Sequence, residues 1–206
     1  MTVAYRPRKF ALGLTKATDL QKSEFEGDFN DNCKNYRSDR KDDINIPNHP
    51  FRLFGLMLPS YNNGKWDHTE LVFPPENHTQ MCFPDENYNY DKMAKKHIFI
   101  GAYDGDKCIG LAILRHDMFK YMYLYDLKVN AEYRSKGVGK MLIDESKKVA
   151  KDNGYIGVYT QGQDNNLGAC HFYLGNGFEI GGLNTHVYNG TSQENKKDIF
   201  FYYTNK

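Results

Sequence analysis

A chain of 206 residues is long enough for one domain with its own core, or for one domain with an extension. Lys and Arg number 27 and Asp and Glu 26, a formal charge of +1 with no block of like charge, which excludes binding of nucleic acid or membrane through a general basic field. No run of about 18 apolar residues is present to span a membrane. Residues 1–16 carry Arg6, Arg8, Lys9 and Lys16 without the apolar stretch of a signal peptide, so a cytoplasmic protein is expected. The cysteines Cys33, Cys82, Cys108 and Cys170 are scattered without C-x-x-C spacing; free thiols are expected, and neither disulfides nor a metal site.

In chain order, residues 9–14 read as a first strand, with Ala11, Leu12 and Leu14 apolar. In the polar stretch from 15 to about 40, Phe25, Phe29 and Tyr36 stand at i, i+4 and i+11, the spacing of a helix laid on a core. Residues 47–59 are apolar but bounded by prolines, which leaves strand and packed loop both open. Asn62-Asn63-Gly64 is a turn signal. Residues 66–70 and 83–88 follow as aromatic and acidic segments. Two β-prone runs, 97–103 and 107–114, flank Asp104-Gly105-Asp106 and predict a hairpin.

Residues 121–129 form the most strand-like run of the chain, YMYLYDLKV. From Val138 the apolar positions switch to helical spacing at Met141, Leu142 and Val149, predicting a helix to about Asp152 that Asn153-Gly154 ends. Residues 155–160 predict a strand parallel to 121–129 through that crossover. A helix over 166–174 is stopped by Gly175-Asn176-Gly177. Residues 178–180 and 199–203 read as closing strands, with 185–188 a further candidate.

Between the strand at 121–129 and its helix lies Arg134-Ser135-Lys136-Gly137-Val138-Gly139-Lys140. Two glycines let a ligand approach the backbone, and the new helix aims unpaired N–H groups and a partial positive charge at it, which suits a pyrophosphate. A P-loop would need glycine at 134 and Ser or Thr at 141, where Arg134 and Met141 stand. A dinucleotide fingerprint starting at Gly137 would need glycine at 142, which is Leu142.

What remains, R-x-x-G-x-G after a strand, resembles the acetyl-CoA signature of the GNAT N-acetyltransferase superfamily. Downstream, Asn166 to Tyr173 followed by Gly177-Phe178 is similar to that superfamily's N-x-x-A-x-x-F-Y-x-x-x-G-F stretch. The resemblance implies an α/β (α+β) GNAT fold: a mixed, mostly antiparallel central sheet of about seven strands flanked by helices. It implies one domain over 1–206, with 1–96 on the acceptor side and 97–204 as the acetyl-CoA core. Backbone at Leu127, Lys128 and Val129 would pair with the pantetheine arm, and Arg134, Ser135, Lys136, Gly137, Val138, Gly139 and Lys140 would hold the pyrophosphate. Asn166, also a natural helix cap, would contact the cofactor with Ala169 and Tyr173.

By the same resemblance Tyr173 is the acid for the leaving thiolate. Asp126, on the central strand beside the thioester position, is the candidate base; a buried carboxylate has a raised pKa suited to taking an ammonium proton, and a structural Asp bonded to nearby backbone is the other reading. Cys170 and His171 adjoin Tyr173 but face elsewhere on a helix, which argues against a Cys/His nucleophile. Within the superfamily the chain is most similar to the streptothricin acetyltransferases, on segments 66–70, 83–85, 125–129, 161–166 and 181–183. That implies a small amine acceptor drawn by acids such as Asp85, Glu86 and Asp91, in a monomer or homodimer; Tyr125 stands where that group usually has an acidic residue. A protein lysine or N-terminal acetyltransferase and a non-catalytic acetyl-CoA binder are the alternatives.

Overall fold

The β-branched and aromatic runs from residue 97 onward build the centre of the molecule, and shorter elements from the first half of the chain are laid on it. The computed structural model describes residues 33–35, 40–117 and 119–205, with 33–35 as backbone. In chain order the elements are β1 (Cys33–Asn35), β2 (Phe51–Leu53), β3 (Gly55–Asn62), β4 (Lys65–Val72), β5 (Thr79–Met81), α1 (Tyr90–Met93), β6 (His97–Asp104), β7 (Lys107–Arg115) and β8 (Tyr121–Val129). Then come α2 (Val138–Asp152), β9 (Gly157–Gln163), α3 (Leu167–Gly175), β10 (Glu179–Asn184) and β11 (Asp198–Thr204). Seven strands form one sheet in the order β1-β6-β7-β8-β9-β11-β10. Every neighbouring pair is antiparallel except β8 and β9. This is the mixed, mostly antiparallel sheet of about seven strands that the resemblance implied.

The sheet is covered on both faces. On one, α2 packs through Val138, Leu142, Ile143, Val149 and Ala150 against Ile100, Ala112, Leu114, Met122 and Leu124. Several of these are fully buried, and at about 1.5–3 kcal/mol for each large aliphatic side chain taken from water this seam outweighs any surface ion pair. On the other face Ile44 and Ile46, with Tyr88, Tyr90 and Met93, pack on Phe99, Leu111 and Ile113. The predicted strand 121–129 and the helix from Val138 to Asp152 stand as read, and Gly154 takes the left-handed conformation after the helix.

Three readings change. Residues 47–59, left between strand and loop, contain β2 and most of β3; β3 pairs with β4 around Asn63 and Gly64, both at positive φ as a tight hairpin turn requires. Residues 33–35, inside the stretch read as helical, are strand β1, which covers the outer edge of β6. Residues 185–188 are not a strand: the Asn184 side chain accepts the His186 N–H at 3.0 Å and turns the chain away from the sheet. The strand read at 9–14 and the aromatic spacing of Phe25, Phe29 and Tyr36 lie outside the described residues. Among the described residues no helix is long and apolar enough to cross a membrane. Cys82 and Cys170 are free thiols.

Candidate functional site

The parallel pair β8 and β9 shares only three register positions, Tyr121 with Gly157, Met122 with Val158 and Tyr123 with Tyr159. Beyond them both strands continue, but among the described residues no strand pairs with β8 on that side. The Thr160 hydroxyl reaches back to the Leu124 carbonyl at 3.0 Å. Further along, β3 meets the end of β9 through the Met57 N–H to the Asp164 carbonyl at 2.9 Å. The gap opens as a cleft of about 320 Å³, lined among others by Leu127, Thr160, Ala169 and Tyr173.

A bulge decides which side chains reach this cleft. Ile113 pairs with Asp126 and Leu114 with Leu124, so Tyr125 is an extra residue in β8. Met122 and Leu124 before it, and Leu127 and Val129 after it, pack on the α2 side. Tyr125 meets Tyr88 and His97, and Asp126 accepts the Tyr88 hydroxyl at 3.2 Å, so two consecutive side chains share the opposite face. Without the bulge one of them would point into the core.

Asp126 is part of a half-buried charged group. Lys128 ion-pairs with Glu86 and lies 3.5 Å from the Asp126 carboxylate, with its ammonium 5.4 Å from the Tyr88 ring centre. Burial holds the Asp126 carboxyl above its ordinary pKa; Lys128 pulls it down and Glu86 pushes it up. Tyr173 is 8% exposed and wedged among Phe172, Phe178 and Phe201. Burial pushes its phenol up to about 12, with a hydrogen bond to Thr160 acting against that rise. It therefore carries its proton throughout the physiological range. Asp126 from β8 and Tyr173 from α3 line the same cleft.

At the glycine turn, Ser135 and Gly137 have positive φ, and the Met141 N–H is the one bonded to the Gly137 carbonyl. The amides of Val138, Gly139 and Lys140 thus start α2 without an acceptor inside the helix. Val138 buries its side chain completely. The Arg134 guanidinium donates to three carbonyls, Pro50 at 2.6 Å, His49 at 3.0 Å and Val129 at 3.2 Å. Lys140 pairs with Asp144, and Lys136 lies over the Tyr133 ring. What the turn offers a ligand is its backbone.

The two glycines differ. A Cβ on Gly137 would meet nothing within 4 Å, whereas one on Gly139 would come within 3.0 Å of the Phe172 ring. Gly139 is where α2 and α3 close on each other, so close approach there serves packing. Gly139→Val is expected to destabilise the fold by about 1–3 kcal/mol through overpacking. Urea unfolding measures it; an unshifted midpoint would show that the contact yields freely.

Asn166 caps α3 by accepting the Ala169 N–H at 3.2 Å. Cys170 is buried, its thiol pushed up to about 12 by burial, and His171 turns to Glu70 at 2.7 Å; neither faces the reaction cleft as a nucleophile. Of the acids read as an acceptor field, Glu86 lines the cleft, Asp85 accepts the Asn48 N–H, and Asp91 pairs with Lys41. The cleft also holds Thr160, Gln163, Tyr188 and Asp198, which reading the sequence missed. For Asp198 the sole sequence signal was a charge directly before the apolar run at 199–203. Among the described residues no cluster of three or more His, Cys, Asp or Glu is placed to hold a metal ion.

Comparison with known proteins agrees with this architecture. The profile of the family described as Acetyltransferase (GNAT) family matches residues 65–178. Streptothricin acetyltransferase A of Bacillus subtilis (strain 168) is 36% identical over 161 residues, covering 78% of this chain and 92% of the relative. A Bacillus anthracis crystal structure assigned as a streptothricin acetyltransferase, solved with acetyl coenzyme A, superposes with a TM-score of 0.75 at 25% identity, over 84% of this chain and 98% of that one. Nourseothricin acetyltransferase shares the fold at a TM-score of 0.68 and 19% identity, over 84% of this chain and 96% of its own. With the family profile matching more than half of its length, and a relative at 36% identity across most of it, the chain belongs to the GNAT family of acetyl-CoA-dependent N-acetyltransferases.

Proposed function

We propose that the enzyme acetylates a primary amine of a small cationic acceptor of the streptothricin type. The observation that carries this reading is that Asp126 and Tyr173, a half-buried carboxylate and a protonated phenol, line one cleft at the divergence of β8 and β9. Acetyl-CoA supplies the activated thioester. The residues present fit it: the unpaired edge of β8 at Leu127, Lys128 and Val129 can receive an extended arm, and the amides opening α2 suit a pyrophosphate.

Asp126 takes the proton of the acceptor ammonium, directly or through one water, and so frees the lone pair that attacks the acetyl carbon. A C–N bond forms and the C–S bond breaks. Tyr173 gives its proton to the departing sulfur, the nitrogen of the new C–N bond releases its remaining extra proton to the phenolate or to water, and Asp126 returns its proton to solvent. The products are an N-acetyl amine and a free thiol. Asn48, Phe83, Glu86 and Tyr88, all from before residue 97, complete the acceptor wall or its support, which favours one functional unit over 1–206 with its acceptor side in 1–96. The free thiols support action in a reducing cytoplasm, as a monomer or homodimer.

Mass spectrometry of streptothricin incubated with enzyme and acetyl-CoA tests the acceptor. The expected result is one acetyl group added. An unchanged antibiotic beside an acetylated protein substrate would overturn the reading.

A further inference from the structure

The cleft has a second anionic wall that the proposed chemistry does not use. Asp198, the first residue of β11, is 7% exposed and lines the cleft. Its Oδ1 accepts the Tyr188 hydroxyl at 2.8 Å. Gln163, its register partner on β9, donates through Nε2 to the Tyr188 hydroxyl at 2.9 Å and to Gln193 at 2.8 Å. The carboxylate is therefore fixed across β9 from the strand that carries Asp126. Among the described residues no Lys or Arg pairs with it, and Oδ2 receives no hydrogen bond. Gln163, 6% exposed and also in the cleft wall, keeps Oε1 without a donor. A buried acceptor without a donor, as Gln163 Oε1 is, is costly unless a ligand satisfies it.

Charge counting says what that ligand carries. Glu86, Asp126 and Asp198 line the cleft. Lys128 is taken by the first two, and Arg115 stacks over the Tyr123 and Tyr125 rings. Two negative charges are left, and a reacting ammonium supplies one positive charge. Burial raises the Asp198 pKa, the Tyr188 hydrogen bond opposes that rise and Asp164 adds to it; a cation bound beside the carboxylate favours its charged form.

Taking the acetyl transfer proposed above as its basis, we infer that Asp198, held by Tyr188, anchors a second cationic group of the acceptor. The preferred acceptors are then compounds with two ammonium groups, or an ammonium and a guanidinium, and monoamines are poor ones. Asp198 acts through binding: it touches the acceptor away from the amine that reacts.

Calorimetry with 1,5-diaminopentane and n-pentylamine, equal in length and different in charge, tests this on the free protein. Wild type is expected to bind the diamine about ten-fold or more tightly than the monoamine, the size of one charge-assisted hydrogen bond. Asp198→Asn, with its fold checked by circular dichroism, is expected to bring that ratio close to one. Tyr188→Phe, which releases Oδ1 from outside the strands, serves if the first variant does not fold, and is expected to narrow the ratio part of the way. Equal binding of the two amines by wild type, or an undiminished preference in the folded variants, overturns the anchor. Failure of acetyl transfer shows separately, as unmodified streptothricin in the mass spectrum.

Discussion

Tyr173→Phe is expected to lower kcat by about ten- to a hundred-fold, the lower part of the range for a general acid. The change removes one hydroxyl from a ring already packed by Phe172, Phe178 and Phe201, so the volume stays filled. The affinity for acetyl-CoA is expected to move little, because in the proposed mechanism the phenol serves the departing sulfur and not the cofactor's pyrophosphate. Steady-state kinetics at saturating acceptor and single-turnover traces together check it. A variant with wild-type single-turnover rate would remove Tyr173 from the mechanism.

A larger loss is expected for Asp126→Asn, about a hundred-fold or more in kcat at neutral pH. The amide keeps the size of the carboxyl and an oxygen for the Tyr88 hydroxyl, and Lys128 keeps Glu86. As a base Asp126 works only when deprotonated. Burial raises its pKa, so the wild-type rate climbs with pH through that raised value, and the variant should lose this acid limb. Stability moves the other way. A carboxyl whose folded pKa lies above its unfolded one favours the fold fully at pH below the unfolded value and loses that contribution as pH rises through the folded value. Thermal unfolding against pH should therefore show the variant without that decline. A pH–rate profile with its acid limb intact, joined to a loss of stability, would reassign Asp126 to a structural role.

Much of the core was legible because periodicity and punctuation agreed there. The apolar run at 121–129, the switch to helical spacing at Val138 and the stops at Gly154 and Gly177 mark the strand, the helix and their ends. The hairpin of β3 and β4 was legible only at its turn, since it stands outside the main sheet, mostly exposed, and shows no clean alternation. The site was half legible. Tyr173 and Asn166 came from a local motif, but Asp198 enters the cleft through antiparallel pairing with Gln163 far back in the chain. The same distance effect changed Arg134, whose guanidinium is occupied by carbonyls at 49 and 50. No window along the sequence contains both partners of such contacts.

The extra residue in β8 also bears on how an enzyme of this kind can diverge. Tyr125 is 39% exposed and stands beside Asp126 on the acceptor face, yet it belongs to no core layer, so its replacement leaves packing on the α2 side intact. Because the bulge itself fixes the register of Asp126, drift at 125 alters what the acceptor meets without displacing the carboxylate next to it. On the proposed assignment, substrate range and chemical competence would be carried by adjacent residues under separate selection. A lineage can retune one while keeping the other.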